Sequence, residues 1–360
     1  INGGQLENNV VGGSISGAGS IDSVLIALNS GKITGNIYGG SNDENGDTSK
    51  AGVSNIANAV VGKAQIIVNG GEVTGDIVAG GSAGTIGNVD VLITDGTIGG
   101  NITKGAAQRQ QGATTNVTVV GNKASIGGNI EADTVTLQDV DASESATGFD
   151  KYSNIITADK LVLNNVQTNL GASVKVTEIE VNGSNTSLIM SDFATLESLT
   201  LGSGVSFGAF KTAESRSAAT SNETTLSLSN LTVGKGATLN ANIVLGKDSI
   251  LSMEGCLTMG SSVALASCMT IDLTTDLLTR LYQGEAIDLF ASVDSLTLDG
   301  LNIDHDTITE ASFNVDDMVQ TFDMAYSNAG TVSITLVPEP ATATLSLLAL
   351  AGLAARRRRK

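Results

Sequence analysis

A single motif returns throughout the first third of this chain, and it limits the fold more than any other feature. An apolar residue precedes Asn/Asp/Ser-Gly, another apolar residue follows, and Gly-Asn/Asp-Ile closes the unit. The copies read NSGKITGNIYGG (29–40), NGGEVTGDIVAGG (69–81), TDGTIGGNITKG (94–105) and NKASIGGNIEA (122–132), after a degenerate NGGQLENNVVGG (2–13). Equivalent polar positions fall at Asn9, Asn36, Asp76, Asn101 and Asn129, at spacings of 27, 40, 25 and 28. The long interval holds the polar stretch SNDENGDTSKAG (41–52), which reads as a surface loop. Short β-branched runs (65–68, 89–93 and 116–120) precede three of the turns. Alternation bounded by Asn-Gly or Asp-Gly is a strand-and-turn pattern. A period of about 26 residues is too short for a helical repeat and fits one coil of a β-solenoid.

From about Thr134 the pattern shortens. LGSGVSF (201–207), VGKGATL (233–239), LGKDSIL (245–251) and MGSSVAL (259–265) share one frame, with glycines at Gly202, Gly234, Gly246 and Gly260. The last three glycines follow one another at spacings of 12 and 14, which suggests stacked half-coils. The strands DTVTL, KLVLNNV and KVTEIEV fill the stretch between. Aromatic residues are only 3% of the chain and Trp is absent, which suits stacked aliphatic columns. The expected fold is therefore all-β: a single-stranded parallel β-helix, right-handed, with a C-terminal cap and a short C-terminal transmembrane helix. Coils of ~20–27 residues at ~4.8 Å per layer would give about 12–16 coils and a rod of roughly 60–75 Å. A stack of antiparallel β-sandwiches is the competing architecture.

The expected divisions are Gly-rich repeats over 1–132, a shorter-period solenoid over 133–282, a terminal β cap over 283–337 and a tail over 338–360. DLTTDLLTRLY (272–282) reads as a short amphipathic helix at the cap's entrance. A cap is needed because the last coil of a solenoid otherwise leaves an unpaired edge.

The tail carries the sharpest signal. Val337, Pro338, Glu339 and Pro340 lead into the apolar run ATATLSLLALAGLAA (341–355), and Arg356, Arg357, Arg358, Arg359 and Lys360 follow. Prolines stiffen an extended segment and present the glutamate between them. As a helix the run spans roughly 22 Å, short of a ~30 Å hydrocarbon core, a deficit that flanking residues or a thinned bilayer could cover. The terminal cations act as a cytoplasmic stop. This arrangement resembles the PEP-CTERM sorting signal of Gram-negative bacteria. The resemblance implies an exosortase-type processing enzyme as partner, contact with the membrane through 341–355 before processing, and passage through the inner membrane to the surface or beyond. A plain tail anchor with a positive stop is the alternative. The repeats, more loosely, resemble autotransporter-passenger-like surface proteins. Export calls for an N-terminal signal peptide, and since none precedes Ile1 the N-terminus reads as trimmed.

Charge narrows the partners. The chain carries −18 overall, and the body up to Val337 has 14 basic against 36 acidic residues. Such a body repels phosphate backbones, so no nucleic-acid partner is expected. Extracellular polysaccharide or a host surface fits better.

Other constellations have bland readings. Cys256 and Cys268 sit in matching frames, Cys-Leu-Thr-Met and Cys-Met-Thr-Ile. Neighbouring coils in register would let them form a disulfide, and two buried thiols are the equal alternative. The loop Asp43-Glu44-Asn45-Gly46-Asp47 fails the calcium-loop frame, because Ser41 and Gly52 would occupy its first and last ligand positions. His305, between Asp304 and Asp306, is the only histidine and reads as a polar turn. No cofactor, metal or catalytic residue is expected. The functional reading is a non-enzymatic, surface-displayed or matrix protein, structural or adhesin-like. The alternative is a carbohydrate-active β-helix lyase or hydrolase using pairs such as Asp139 with Asp141 or Asp316 with Asp317. A passive glycan carrier is a third, weaker idea.

Overall fold

The computed structural model describes residues 1–15, 17–43, 58–141, 156–169, 174–183, 186–189, 193–210 and 224–337. Within them the chain is all-β, built as one long sheet, consistent with a β-solenoid. Strands from successive coils pair in parallel along three ladders. The first ladder runs from Ser20–Leu28 through Val60–Val73, Thr85–Ile98 and Thr115–Val120 to Thr270–Leu273. A second is seeded by Asn2–Leu6 on Ser30–Ile33 and resumes with Gln167–Asn169 on Thr186–Ile189. A third starts with Val10–Val11 on Ile37–Tyr38 and later joins Thr225–Val233 to Asn242–Met253 and Ser262–Leu265.

Register holds the core together. In the first ladder Ile26, Ile66, Val91, Val117, Val135, Leu161, Ile179, Leu199, Leu231, Leu251 and Ile271 pair in turn, one per coil. All of them are buried. Because side chains alternate along a strand, the residue two positions on makes a second column, from Leu28 and Val68 to Met253. The isoleucines of the repeat motif form a third, Ile37–Ile77–Ile102–Ile130–Ile156. Full burial of such a side chain stabilises by about 1.5–3 kcal/mol.

Corners are held by amides. Asn9 Oδ1 accepts the Asn36 N–H at 2.6 Å, Asn36 Oδ1 the Asp76 N–H at 2.8 Å, Asp76 Oδ1 the Asn101 N–H at 2.6 Å, and Asn101 Oδ1 the Asn129 N–H at 2.8 Å. The motif's polar position is thus a side-chain ladder that satisfies one backbone donor on each coil from Asn36 to Asn129. The glycine before it is required by space: a Cβ on Gly75 or Gly100 would collide with Asn36 Oδ1 or Asp76 Oδ1.

Among the described residues the first ladder joins eleven strands, about 48 Å at ~4.8 Å per step. Several later coils are shorter than the repeats of the first third, since Asn116 pairs with Thr134, Lys160 with Glu178 and Ile250 with Thr270, whereas Thr134 with Lys160 and Ser198 with Asn230 span longer intervals. The half-coil reading of the four glycine frames does not hold. Gly202 and Gly234 stack at one corner, following Leu201 and Val233, which pair. Gly246 follows the third ladder's Leu245, and Gly260 follows the second ladder's Met259. Three different corners therefore share one local frame.

Parallel order ends at the C-terminal side. Ile287–Ala291 pairs antiparallel with Val332–Leu336, which pairs antiparallel with Met318–Tyr326, and that strand with Thr307–Val315. A helix, Thr275–Tyr282, precedes this end structure and buries Leu281. Asp272 and Leu273, expected in the helix, belong instead to the strand Thr270–Leu273, because their register with Ser252 and Met253 continues the ladder. Asp316 (φ 54°) and Asp317 (φ 59°) make a two-residue hairpin turn between Val315 and Met318. Both sit in the left-handed region that such a turn demands.

Two outcomes check this account. Leu161→Ala should destabilise the folded chain by about 2–5 kcal/mol, read as a lower urea midpoint. Asn36→Ala should cost about 1–3 kcal/mol by orphaning the Asp76 N–H, while Asn36→Asp, which keeps the acceptor, should cost less in the same titration.

Candidate functional site

The stretch with a chemical signature begins in the last described strand. Val332–Leu336 lies between two antiparallel neighbours, with Leu336 opposite Phe322 and Ile334 opposite both Ile287 and Met324. The next residue, Val337, still donates its N–H to Thr321 O at 3.2 Å. Below it, Tyr326 is buried and donates its hydroxyl to Val293 O at 2.9 Å. Burial, helped by the nearby Asp294 charge, pushes the Tyr326 phenol above its ordinary range. The start of the tail is therefore pinned to the interior strand of the end structure. Pro338, Glu339, Pro340, the apolar run 341–355 and the basic Arg356–Lys360 lie outside the described residues.

Residues 336–360 match the model of the PEP-CTERM protein-sorting motif. This chain carries an exosortase sorting signal. The signal implies export and sorting to the cell envelope or surface, with exosortase-type processing. It covers the tail alone. No curated protein and no solved structure matches the chain. Among the described residues no helix is long and apolar enough to cross a membrane.

The two cysteines are free. Of the two readings, a disulfide or free thiols, the structure has the second, and the frames belong to different ladders: Cys256 precedes Leu257, opposite Phe290, whereas Cys268 precedes the strand that starts at Thr270, opposite Ile250. Cys268 also takes a left-handed backbone (φ 64°). Burial, with the nearby Asp288 charge, pushes the Cys256 thiol up to about 11, which leaves it protonated and unreactive at neutral pH.

The candidate carboxylates sit at turns in two separate parts of the fold. Asp139 sits at a corner in the left-handed region (φ 53°) and accepts from Asn165 Nδ2 at 3.1 Å. The Asp141 N–H is held by Asn122 Oδ1 at 2.8 Å. Asp316 and Asp317 are the hairpin turn of the end structure, in another part of the chain's architecture. His305 stacks on Tyr326 with ring centroids 4.2 Å apart, and its Nδ1 lies 2.9 Å from Ser327 O. Asp306 beside it accepts from both the backbone and side-chain amides of Asn328. Of the acidic loop 43–47 only Asp43 is described, its N–H donating to Ser82 Oγ at 2.9 Å. No group of three or more His, Cys, Asp or Glu among the described residues could hold a metal ion. The described phenylalanines and tyrosines are buried apart from Tyr282, which is 44% exposed, so no aromatic row lines the outer faces.

One cluster has no counterpart among the sequence motifs. Asp133 receives Arg109 through both guanidinium Nη atoms, at 2.5 and 3.1 Å, Lys104 Nζ at 2.6 Å and the Thr115 N–H at 2.6 Å. Burial pushes its carboxyl up, but Arg109, Lys104 and the Thr115 N–H together hold it well below the usual carboxylate range. The only sequence signal is the separation of Arg109 and Asp133 by about one coil. Nearby, Asn101, Thr103, Asn129, Glu131, Thr157 and Lys175 line a shallow open depression of about 470 Å³ on the outer surface.

The Asp133 cluster predicts a pH dependence. A carboxyl depressed in the fold stabilises it above the unfolded value of ~3.9, and that contribution is lost as pH falls toward the folded value. Urea midpoints should therefore drop on acidification below about pH 4, and Asp133→Asn should lower stability at pH 7 and flatten the acid slope.

Proposed function

We propose that this chain is an exported, non-enzymatic rod, structural or adhesin-like, displayed at the cell surface or released into the surrounding matrix. In this reading the ladder coils right-handed, the sense in which parallel strands of one sheet are joined. Residues 341–355 form a short membrane helix during transit through the inner membrane, and exosortase-type processing follows at the Pro-Glu-Pro segment. The observation that supports the reading is the pairing of a sorting signal with a repetitive body whose corner amides and ion pairs join one coil to the next. The corner amides bond from coil to coil, and Asp133, Glu72 and Glu178 are occupied by cations.

The outer columns favour contact over catalysis. Asn116 and Thr118 stand opposite Thr134 and Thr136, and Ser198 and Thr200 opposite Asn230 and Thr232. These side chains alternate with the buried ones and so face outward. Rows of hydroxyls and amides at strand spacing on an acidic rod suit repetitive, hydrogen-bonding polymers such as polysaccharide, and repel nucleic acid. A stacked, repetitive body of the autotransporter-passenger-like kind belongs to the same reading.

The test is to recover the protein from its native envelope and sequence its C-terminal peptide by mass spectrometry. We expect a terminus near Pro338–Pro340, loss of Arg356–Lys360, and protein outside the inner membrane. Glu339→Ala should leave the unprocessed chain behind. An intact Lys360 retained in the inner membrane would overturn the reading in favour of a tail-anchored rod, and saccharide release by the purified body would replace it with the carbohydrate-active alternative.

A further inference from the structure

The geometry of the exit strand says what lies beneath the body while the tail is still attached. Leu336 pairs with Phe322 in antiparallel register and the Val337 N–H reaches Thr321 O. At Val337 the strand therefore points along its neighbour toward that neighbour's start, where Met318 stands at the hairpin tip. That tip projects about 10 Å beyond Thr321 in the direction of exit, at ~3.3 Å per residue. The apolar run starts at Ala341, and four residues reach at most about 14 Å from Val337. Along this direction, a surface that receives residue 341 can lie at most about 4 Å beyond the hairpin tip.

The tip is suited to such a surface. Met318 is 55% and Val319 65% exposed, and Tyr282, 44% exposed, accepts a hydrogen bond from Gln320 Nε2 at 3.0 Å. Two aliphatic side chains and a tyrosine at one projecting point match the headgroup boundary, where an amphipathic ring has its apolar body and polar tip both satisfied. Asp316 and Asp317, exposed in the turn between Val315 and Met318, select against anionic lipid. Arg280, the cation on the adjoining helix, is already paired with Glu285 at 2.8 Å.

We propose that the hairpin tip formed by Met318 and Val319, with Tyr282 beside it, is a membrane-contact surface that rests on zwitterionic lipid headgroups while the chain is tail-anchored. This rests on the reading that 341–355 enters the bilayer. The body stands on the membrane through this tip.

The chain contains no tryptophan, so one introduced indole reports alone. The full chain carrying Val319→Trp, and separately Met318→Trp, is reconstituted in phosphatidylcholine–phosphatidylethanolamine vesicles with brominated acyl chains. Ile308→Trp, 68% exposed and opposite Ala325 at the far end of the same hairpin, is the control. Flotation of the vesicles reads anchoring. We expect both tip variants to be quenched at least about threefold more than the control, since interfacial burial reaches ~5–10 Å into the headgroup and acyl boundary. Adding phosphatidylglycerol should reduce that quenching, and Asp316→Asn with Asp317→Asn should restore it. Anchored chains with tip and control quenched alike overturn this inference alone. Chains that fail to float with the vesicles overturn the anchoring reading and this one with it. Quenching unchanged by phosphatidylglycerol overturns the zwitterionic assignment.

Discussion

Everything in this body depends on residues at equivalent positions of successive coils meeting directly. Parallel in-register pairing puts Val91 on Val117 and Val117 on Val135, so each buried side chain is packed above and below by its own counterpart. Such a column asks only that each layer supply an aliphatic residue of similar size. That tolerance explains why Ile, Val and Leu exchange freely along it, and why large rings are scarce until the end structure. Phe290, Phe313, Phe322 and Tyr326 are all buried there, where the column has ended and irregular space must be filled. Each layer buries only a few side chains, so stability is gained by repetition. Neighbouring layers carry it, as in other quasi-one-dimensional folds.

Stacking at ~4.8 Å also dictates the corners. A backbone that turns between faces leaves donors with no strand partner, and an unpaired buried donor costs about 1–3 kcal/mol. The Asn9-to-Asn129 ladder meets this demand with one side-chain oxygen per coil. Asp76 can replace asparagine within it because the required group is an acceptor, and Asp76 Oδ1 also takes Asn101 Nδ2 at 3.2 Å. The adjacent glycines follow from the same spacing, since a side chain there would occupy the volume of the preceding coil's amide. Gly-Asn-Ile therefore encodes three demands in order: clearance, a hydrogen-bond acceptor, and the next buried residue.

This is why the first third is legible in the sequence and other parts are not. Where clearance, acceptor and apolar residue fall at adjacent positions, the repeat is visible and its equivalent residues are those that bond in space. In the later coils a corner needs only a glycine near an apolar residue, and three corners of one coil then look alike. Gly234, Gly246 and Gly260 fall into one sequence frame for that reason, although their preceding residues belong to different ladders. The cysteine frames mislead in the same way. Residues 272–273 carry helical periodicity, but pairing with Ser252 and Met253 outweighs a local preference of a few tenths of a kcal/mol per residue. The Asp133 cluster is not legible in any window, because its cations come from Lys104 and Arg109 in earlier parts of the ladder.

The end of the array joins fold to sorting. A parallel stack exposes the donors and acceptors of its last coil, an invitation to further pairing. Here the chain turns back into antiparallel strands, and Val332–Leu336 is placed between two of them instead of at the edge. That choice has a mechanical consequence. A pull on the tail acts along the strand axis, so the ladder bonds on both sides are loaded together in shear, whereas an edge strand pulled across its bonds would open one at a time. The sorting signal thus begins at Leu336, whose pairing with Phe322 takes the first load of a pull on the tail, ahead of the doubly paired Val332–Ile334.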